Sequence, residues 1–597
     1  MLTRRETLAI IGAGALSPGA FAQNSARSVD DFFRDFTAEW MRIDPDLATS
    51  LRYFTGEEQD RLERRLTPLT LASARQRLQL ARKGLAELPK FDRAGMTETQ
   101  QVSADVMAWQ LEMTIAEEPY WDYFFPLEQM NGWNVSSVEW FTVARPLVRP
   151  RDAENYVAAL GQVSARMEEA IAESRRLAAK NIIPPRFILD ATIKQIQSFV
   201  DPSPGQNPFV TAFADKMAAL PPGAAAIPEA QREQLRGEAE NIVATQIYPA
   251  WKKAAATLQG QLARSTNDAG LWRLKGGPEA YACFLRRFTT TNLTADQIHE
   301  IGLQQVSRIE TQMDALLRQL GRTAGPVKER IAKLKLDLRY PNPASDESRA
   351  QIMRDIDGII RDAEKRAALL FDLRPKAPVI AQPFPRFREA NAAANYNAPA
   401  PDGSRPGTFQ YPRRVEWMTA FGLRSVVYHE SVPGHHFQVA LEVENPQLPR
   451  FRQTHALGYI SAFVEGWGLY AERLAAESGW YGDDIQGQLG QLDYELMRAR
   501  RLVIDTGLHA KRWTRQQAID FGIEASEVER YTVYPGQACS YMIGELKILE
   551  LRDKAQTALG NRFSLREFHN TVLRAGSVPL QVLESQVDAF INASLRL

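Results

Sequence analysis

Apolar positions recur along most of the chain at the three- and four-residue spacing of amphipathic helices. "SVDDFFRDFTAEWMRIDPDLATSL" opens at Ser28, a capping residue followed by acids in the first turn, and "ASARQRLQLARKGLAEL" carries the same period to about Pro89. Residues 153–180 and 228–262 read as two further long amphipathic helices. Thr294 is placed to cap another, with Asp296 and Gln297 in its first turn. Between these, "VDPSPGQNPF" (200–209) and "LPPGAAAIP" (220–228) are connectors.

The helical period stops once, over residues 376–412, which are rich in Pro, Asn and Gly. "DGSRPG" there reads as a tight turn between extended segments at Asn395–Ala398 and Thr408–Tyr411. An antiparallel ribbon is expected, with the backbone near Thr408 and Phe409 at an edge that aligns an extended peptide. Helices then resume to the C-terminus. The expected fold is mostly α, a large helical body with a small antiparallel ribbon beside a cleft.

Composition narrows the function classes. The 597 residues carry 72 basic and 72 acidic side chains, so no global field favours nucleic acid. Two cysteines, Cys283 and Cys539, form no metal-binding Cys-x-x-Cys pattern and read as buried thiols, with one long-range disulfide left open. "MLTRRETLAIIGAGALSPGAFAQ" has a basic start, a short apolar run and an A-x-A-like end. It reads as a signal peptide over residues 1–22, of the twin-arginine type through Arg4 and Arg5, which sends the protein to the periplasm. No other run is apolar for long enough to span a membrane. The remainder divides into an N-terminal helical region, 23–275, and a catalytic region, 276–597, packed as one body. Nothing in the sequence sets the oligomeric state.

Candidate chemistry lies in "HESVPGHH" (429–436). The chain has seven histidines, and four of them, His429, His435, His436 and His455, fall in this short part of it. A zinc helix of the His-Glu-x-x-His kind places its second histidine at i+4, but position 433 is a proline. Val432-Pro433-Gly434 does not continue a straight helix, because proline removes a donor and glycine permits a sharp turn. If these residues form a two-residue bulge, His435 returns to the i+4 register of His429. Glu430 then stands where a base would take a proton from a metal-bound water. A helix end whose histidines cap carbonyls would leave the same letters.

A catalytic zinc needs a third protein ligand and an open position. "FVEGWGLYAERLAAE" supplies Glu465 on a helix from about Ala462, followed by Gly466, Trp467 and Gly468, a pattern whose small residues admit another backbone. A ligand and a solvated carboxylate both fit Glu465 taken alone. His436 reads as a pocket residue and His455 as structural. Further on, Asp505 and His509 sit at i,i+4 and are read either as an oriented oxyanion donor or as a buried polar pair. Tyr531, Tyr534, Gln537 and Tyr541 follow in "ERYTVYPGQACSYMIGELK", where one tyrosine facing the metal would donate to an oxyanion. Arg498, Arg500, Arg501 and Arg530 are candidates for a substrate carboxylate.

"HESVPGHHFQ", "EGWGLYAE", "DTGLH" and "YPGQACSYMIGE", taken in order, resemble the bacterial family known as domain of unknown function 885, grouped with gluzincin-like zinc peptidases. The resemblance covers most of the mature chain. It implies a mostly helical fold with a small sheet over the cleft, His429, His435 and Glu465 as metal ligands, and Glu430 as general base. The expectation is therefore an exported zinc hydrolase acting on a peptide or small amide, with Tyr541 or His509 stabilising the oxyanion. Two alternatives stay open: a metal-assisted amidase or lyase on a small modified amino acid, and a silent binding protein of the same fold. Another divalent ion in place of zinc also fits.

Overall fold

The computed structural model describes residues 27–223, 226–384, 389, 393–400 and 405–596. The expected signal peptide, with its twin-arginine pair, and the first half of the "DGSRPG" turn lie outside the described residues.

Helices form where the apolar period runs and start at the expected caps. Ser28 Oγ accepts from the Asp31 N–H at 3.1 Å and opens the helix Val29–Arg42, which buries Phe32, Phe33, Phe36 and Trp40 on one face. Thr294 and Gln297 cap one another's backbone at the start of helix α1 (Ala295–Gln319). Two long stretches are interrupted where continuous helices were expected. Residues 153–180 are shared between Pro150–Leu160 and Val163–Ala179, and residues 228–262 contain a wide turn at Val243–Ile247.

The remaining helices that frame the site are α2 (Leu423–Glu430), α3 (His435–Glu444), α4 (Ser461–Glu477), α5 (Ile485–His509), α6 (Ala525–Val533) and α7 (Ser540–Leu559). Helices α1 and α5, of 25 residues each, run about 37 Å and pack along one another. Helices α4 and α7 cross with their backbones touching: a Cβ on Gly466 would lie 2.5 Å from the Gly544 carbonyl carbon. Gly466 thus admits another backbone, as the pattern after Glu465 suggested. Among the described residues no helix is long and apolar enough to cross a membrane.

The cores do not divide at residue 275. The main core joins Val29–Met113 to Leu271–Ile591, whereas the second core is built from Leu66 and residues between Leu127 and Leu258. Amphipathic period alone does not say which partner a helix buries its face against. Both cysteines are free thiols; Cys539 is buried as expected and Cys283 only half-buried.

The sheet has three strands, not two. Strand β1 (Val379–Pro383) runs parallel to β3 (Gly407–Tyr411), and β2 (Asn395–Asn397) pairs with β3 antiparallel, Tyr396 opposite Phe409. The order β1-β3-β2 makes β3 central. Thr408 and Phe409 therefore do not offer a peptide-binding edge, because β1 has taken it. Strand β1 went unread because parallel pairing leaves no hairpin turn in the sequence. The edge next to the cleft belongs to β2.

Candidate metal centre

The "HESVPGHH" segment is a helix, a two-residue excess and a second helix. Helix α2 ends at Glu430, and Ser431 leaves the helical region with φ −118° and ψ −104°. The Gly434 N–H then returns to the Tyr428 carbonyl at 3.0 Å, six residues back where a helix would reach four. Gly434 has to be glycine here, since a Cβ would lie 2.0 Å from the His429 carbonyl oxygen. The Trp467 indole N–H, from α4, donates to the Pro433 and Gly434 carbonyls at 3.0 and 3.2 Å. It thereby gives the Pro433 carbonyl a donor that the interrupted helix does not supply, whereas the Gly434 carbonyl also accepts from the Gln438 N–H at 3.2 Å.

The excess turn restores the register. The imidazoles of His429 and His435 lie with centroids 4.5 Å apart, tilted at 80°. Their Nε2 atoms stand 3.5 and 3.7 Å from the same oxygen of Glu465 on α4. A tetrahedral ion with bonds of about 2.1 Å separates its ligand atoms by about 3.4 Å. The donor set and spacing of His429, His435 and Glu465 fit one zinc-like cation. Glu430 also belongs to the group, for His429, Glu430 and His435 each present a ligand atom within 4.8 Å of the others.

Glu472, two turns after Glu465 on α4, was not singled out from the sequence, although its spacing places both carboxylates on one helix face. It is fully buried and accepts from His429 Nδ1 at 2.8 Å and from the Ser425 hydroxyl. That bond holds a proton on His429 Nδ1 and aims Nε2 at Glu465. Gly468, between the two glutamates, gives the ring its room: a Cβ there would meet His429 Cε1 at 2.6 Å.

With the side chains alone, the cluster already attracts positive charge. Burial opposes a charge on His429, but hydrogen bonds to Glu465 and Glu472 outweigh it and lift its pKa to about 9. Burial would raise Glu465, yet the hydrogen bond from His429 brings it down to about 2. Burial, reinforced by the charge on His429, pushes His435 down to about 3. Glu430 is pushed up to about 8, chiefly by burial and also by the nearby Glu465.

These four residues line a cavity of about 1170 Å³ together with Tyr541, Tyr534, Gln537, Arg498 and Arg501. Tyr541 stands near Glu465, whose charge helps raise its phenol after burial, and its ring lies 4.5 Å from the Arg501 guanidinium. Residues Asn395 and Tyr396 of β2 line the same cavity. His436 does not line the cavity with His429, His435 and Glu465; its Nδ1 meets the Tyr396 hydroxyl at 2.9 Å and ties α3 to the sheet.

Two expectations are corrected. His509 is fully buried, with Nδ1 accepting from the Leu271 N–H at 3.1 Å and Nε2 donating to the Tyr531 carbonyl at 2.9 Å. Both nitrogens are used, so it has none for an oxyanion. Asp505 does not orient it, but accepts from the Tyr281 hydroxyl at 2.6 Å and the Gly536 N–H at 3.0 Å. Arg530 likewise spends its guanidinium on Gln537 and Glu527, at 2.6 and 3.0 Å. Tyr531 sits between Arg501 and Glu527. His455 is structural, bonded to Glu442 at 3.1 Å.

Among the described residues one other acidic group, Asp60, Glu63 and Asp152, is close enough to hold a cation. Arg149 and Arg52 already cross it, reaching Asp152 at 2.7 and 2.9 Å.

Comparison with known proteins places this architecture. The family described as "Bacterial protein of unknown function (DUF885)" matches residues 45–587. The chain belongs to the DUF885 family. Several solved structures are similar to this DUF885 chain, among them two described as lipoproteins. "The putative lipoprotein from Colwellia psychrerythraea" superposes with a TM-score of 0.88 at 29% identity, over 95% of this chain and 100% of that one. A "putative lipoprotein of unknown function" from Shewanella oneidensis gives 0.69 at 18% identity over 94% and 99%, a likeness of fold alone. No curated protein matches.

Proposed function

We propose that this DUF885 protein is an exported, metal-dependent hydrolase that cleaves peptide or amide bonds, with zinc as its ion. The observation that carries the reading is the convergence of two histidine Nε2 atoms on one Glu465 oxygen at 3.5 and 3.7 Å. Its setting in a large cleft, with a carboxylate behind His429, supports it further. Export rests on the N-terminal pattern, and the description of the Colwellia protein as a lipoprotein agrees with it.

His429, His435 and Glu465 would hold the ion. Such an ion supplies Lewis acidity, acidifying water and polarising a carbonyl. Glu430, the residue after His429 at the end of α2 and open to the cavity, takes the proton of the attacking water and returns it to the leaving nitrogen. Tyr541 donates its O–H to the carbonyl oxygen as negative charge develops there. Glu472 keeps His429 in the tautomer that presents Nε2. Strand β2 offers the backbone edge along which an extended substrate lies.

The test is digestion of a peptide library by the zinc-replete mature protein, with and without chelator. Cleavage that chelation stops and zinc restores supports the reading. Intact peptides, alongside consumption of a small amide or a carbon–heteroatom substrate, would replace it with the amidase or lyase alternative. The absence of both activities, with no bound metal, would leave a binding protein.

A further inference from the structure

Of the exposed large apolar side chains among the described residues, Tyr459 is the one that lines the cavity, and it is 63% exposed. It precedes Glu465 by six residues, on the loop that enters α4. Burial, and then the charge on Glu442, raises its phenol pKa. Its exposed ring is part of the cavity wall.

The ring is held from beneath. It stacks on His455 with centroids 4.3 Å apart and planes 19° from parallel. His455 Nε2 meets Glu442, which is 1% exposed, at 3.1 Å. The loop between them is pinned as well. The Gly458 N–H reaches the His455 carbonyl at 2.8 Å, and the Gly458 carbonyl accepts from Gln110 at 2.7 Å. Gly458 has φ +106°, a conformation that glycine adopts without strain. One face of Tyr459 is thus fixed and the other faces the cavity. Phe288 and Tyr534, packed edge to face at 5.0 Å, line the same space.

An aromatic ring displayed in a cleft, already ordered, loses little entropy when a second ring stacks on it. We propose that Tyr459 is a stacking platform for the substrate, so that the cleft selects substrates with an aromatic side chain close to the bond that is cleaved. This rests on the hydrolase reading and names its substrate class. Tyr459 acts as a specificity residue and takes no part in proton transfer.

Binding separates the two claims. Peptide hydroxamates, which chelate the ion through their hydroxamate group, can carry either a benzyl or a methyl side chain on each side of that group. Their affinities for the zinc-loaded mature protein are measured by calorimetry, for wild type, Tyr459→Ala and Tyr459→Phe. Wild type is expected to bind a benzyl ligand about tenfold more tightly than its methyl counterpart. Tyr459→Ala should bring that ratio close to one, and Tyr459→Phe should keep it. Because the side chain is exposed, its removal opens no core cavity, and circular dichroism verifies the fold. A ratio unchanged in Tyr459→Ala, or already near one in wild type, overturns the platform while leaving the metal centre standing. No binding of any hydroxamate to wild type overturns the metal centre itself and the platform with it.

Discussion

His429 and His509 are both buried histidines within the same helical body, each beside a carboxylate in sequence or space. They differ in what their nitrogens do. His509 gives one to a backbone N–H and the other to a backbone carbonyl, and its i−4 neighbour Asp505 serves Tyr281 and Gly536. His429 gives one nitrogen to Glu472 and turns the other to a point that His435 and Glu465 also face. Burial and a nearby acid are therefore poor guides to chemistry. The informative feature is a valence left facing a cavity after the structural bonds are made.

That contrast can be broken in several ways. Glu430→Gln should produce the largest effect, lowering kcat by about 10²- to 10⁴-fold while leaving zinc content unchanged, read by stopped assays and elemental analysis on the same sample. His509→Ala should do the reverse, destabilising the fold by about 2–4 kcal/mol in denaturant unfolding with full metal occupancy in the folded fraction.

The same substitution has a pH signature. Burial holds His509 down at about 4, below the ordinary histidine value, so the folded protein resists the proton that the unfolded chain accepts. Its contribution is intact above about pH 6.5 and is lost as pH falls from there to about 4, amounting to about 3 kcal/mol. Wild-type melting temperature should therefore drop more steeply over that window than that of His509→Ala. Parallel slopes would show that His509 does not carry the acid sensitivity.

Glu472→Gln should weaken zinc about 10- to 100-fold, measured by competition with a chromophoric chelator, because His429 loses the anion that orients it. An unchanged affinity would place Glu472 among the structural acids with Asp505. Trp467→Phe is the smallest, costing about 1–3 kcal/mol of stability through the Pro433 carbonyl it leaves unpaired, with a modest loss of zinc affinity.

Much of this was legible in the sequence, for physical reasons that differ by element. Helix caps such as Ser28 and Thr294 are local, so the letters carry them. The bulge was legible because proline and glycine act on their own backbone, and Gly434 bonding back to Tyr428 is the excess that Pro433-Gly434 foretold. What escaped is non-local. Strand β1 declares itself only when it lies beside β3, and which N-terminal helices enter the main core depends on shape that period does not encode. Glu472 and Trp467 were visible inside "EGWGLYAE", but their partners, His429 Nδ1 and the bulge carbonyls, exist only in the folded chain. Asp505 and His509 misled because i,i+4 spacing brings two residues to one helix face without saying what packs there.

The central claim is that His429, His435 and Glu465 bind one ion. Anomalous diffraction at the zinc absorption edge, from crystals of the zinc-replete mature protein, tests it most directly. The account predicts a single strong peak about 2.0–2.2 Å from Nε2 of His429, Nε2 of His435 and an oxygen of Glu465. No peak there, or a peak held instead by Asp60, Glu63 and Asp152, would contradict it.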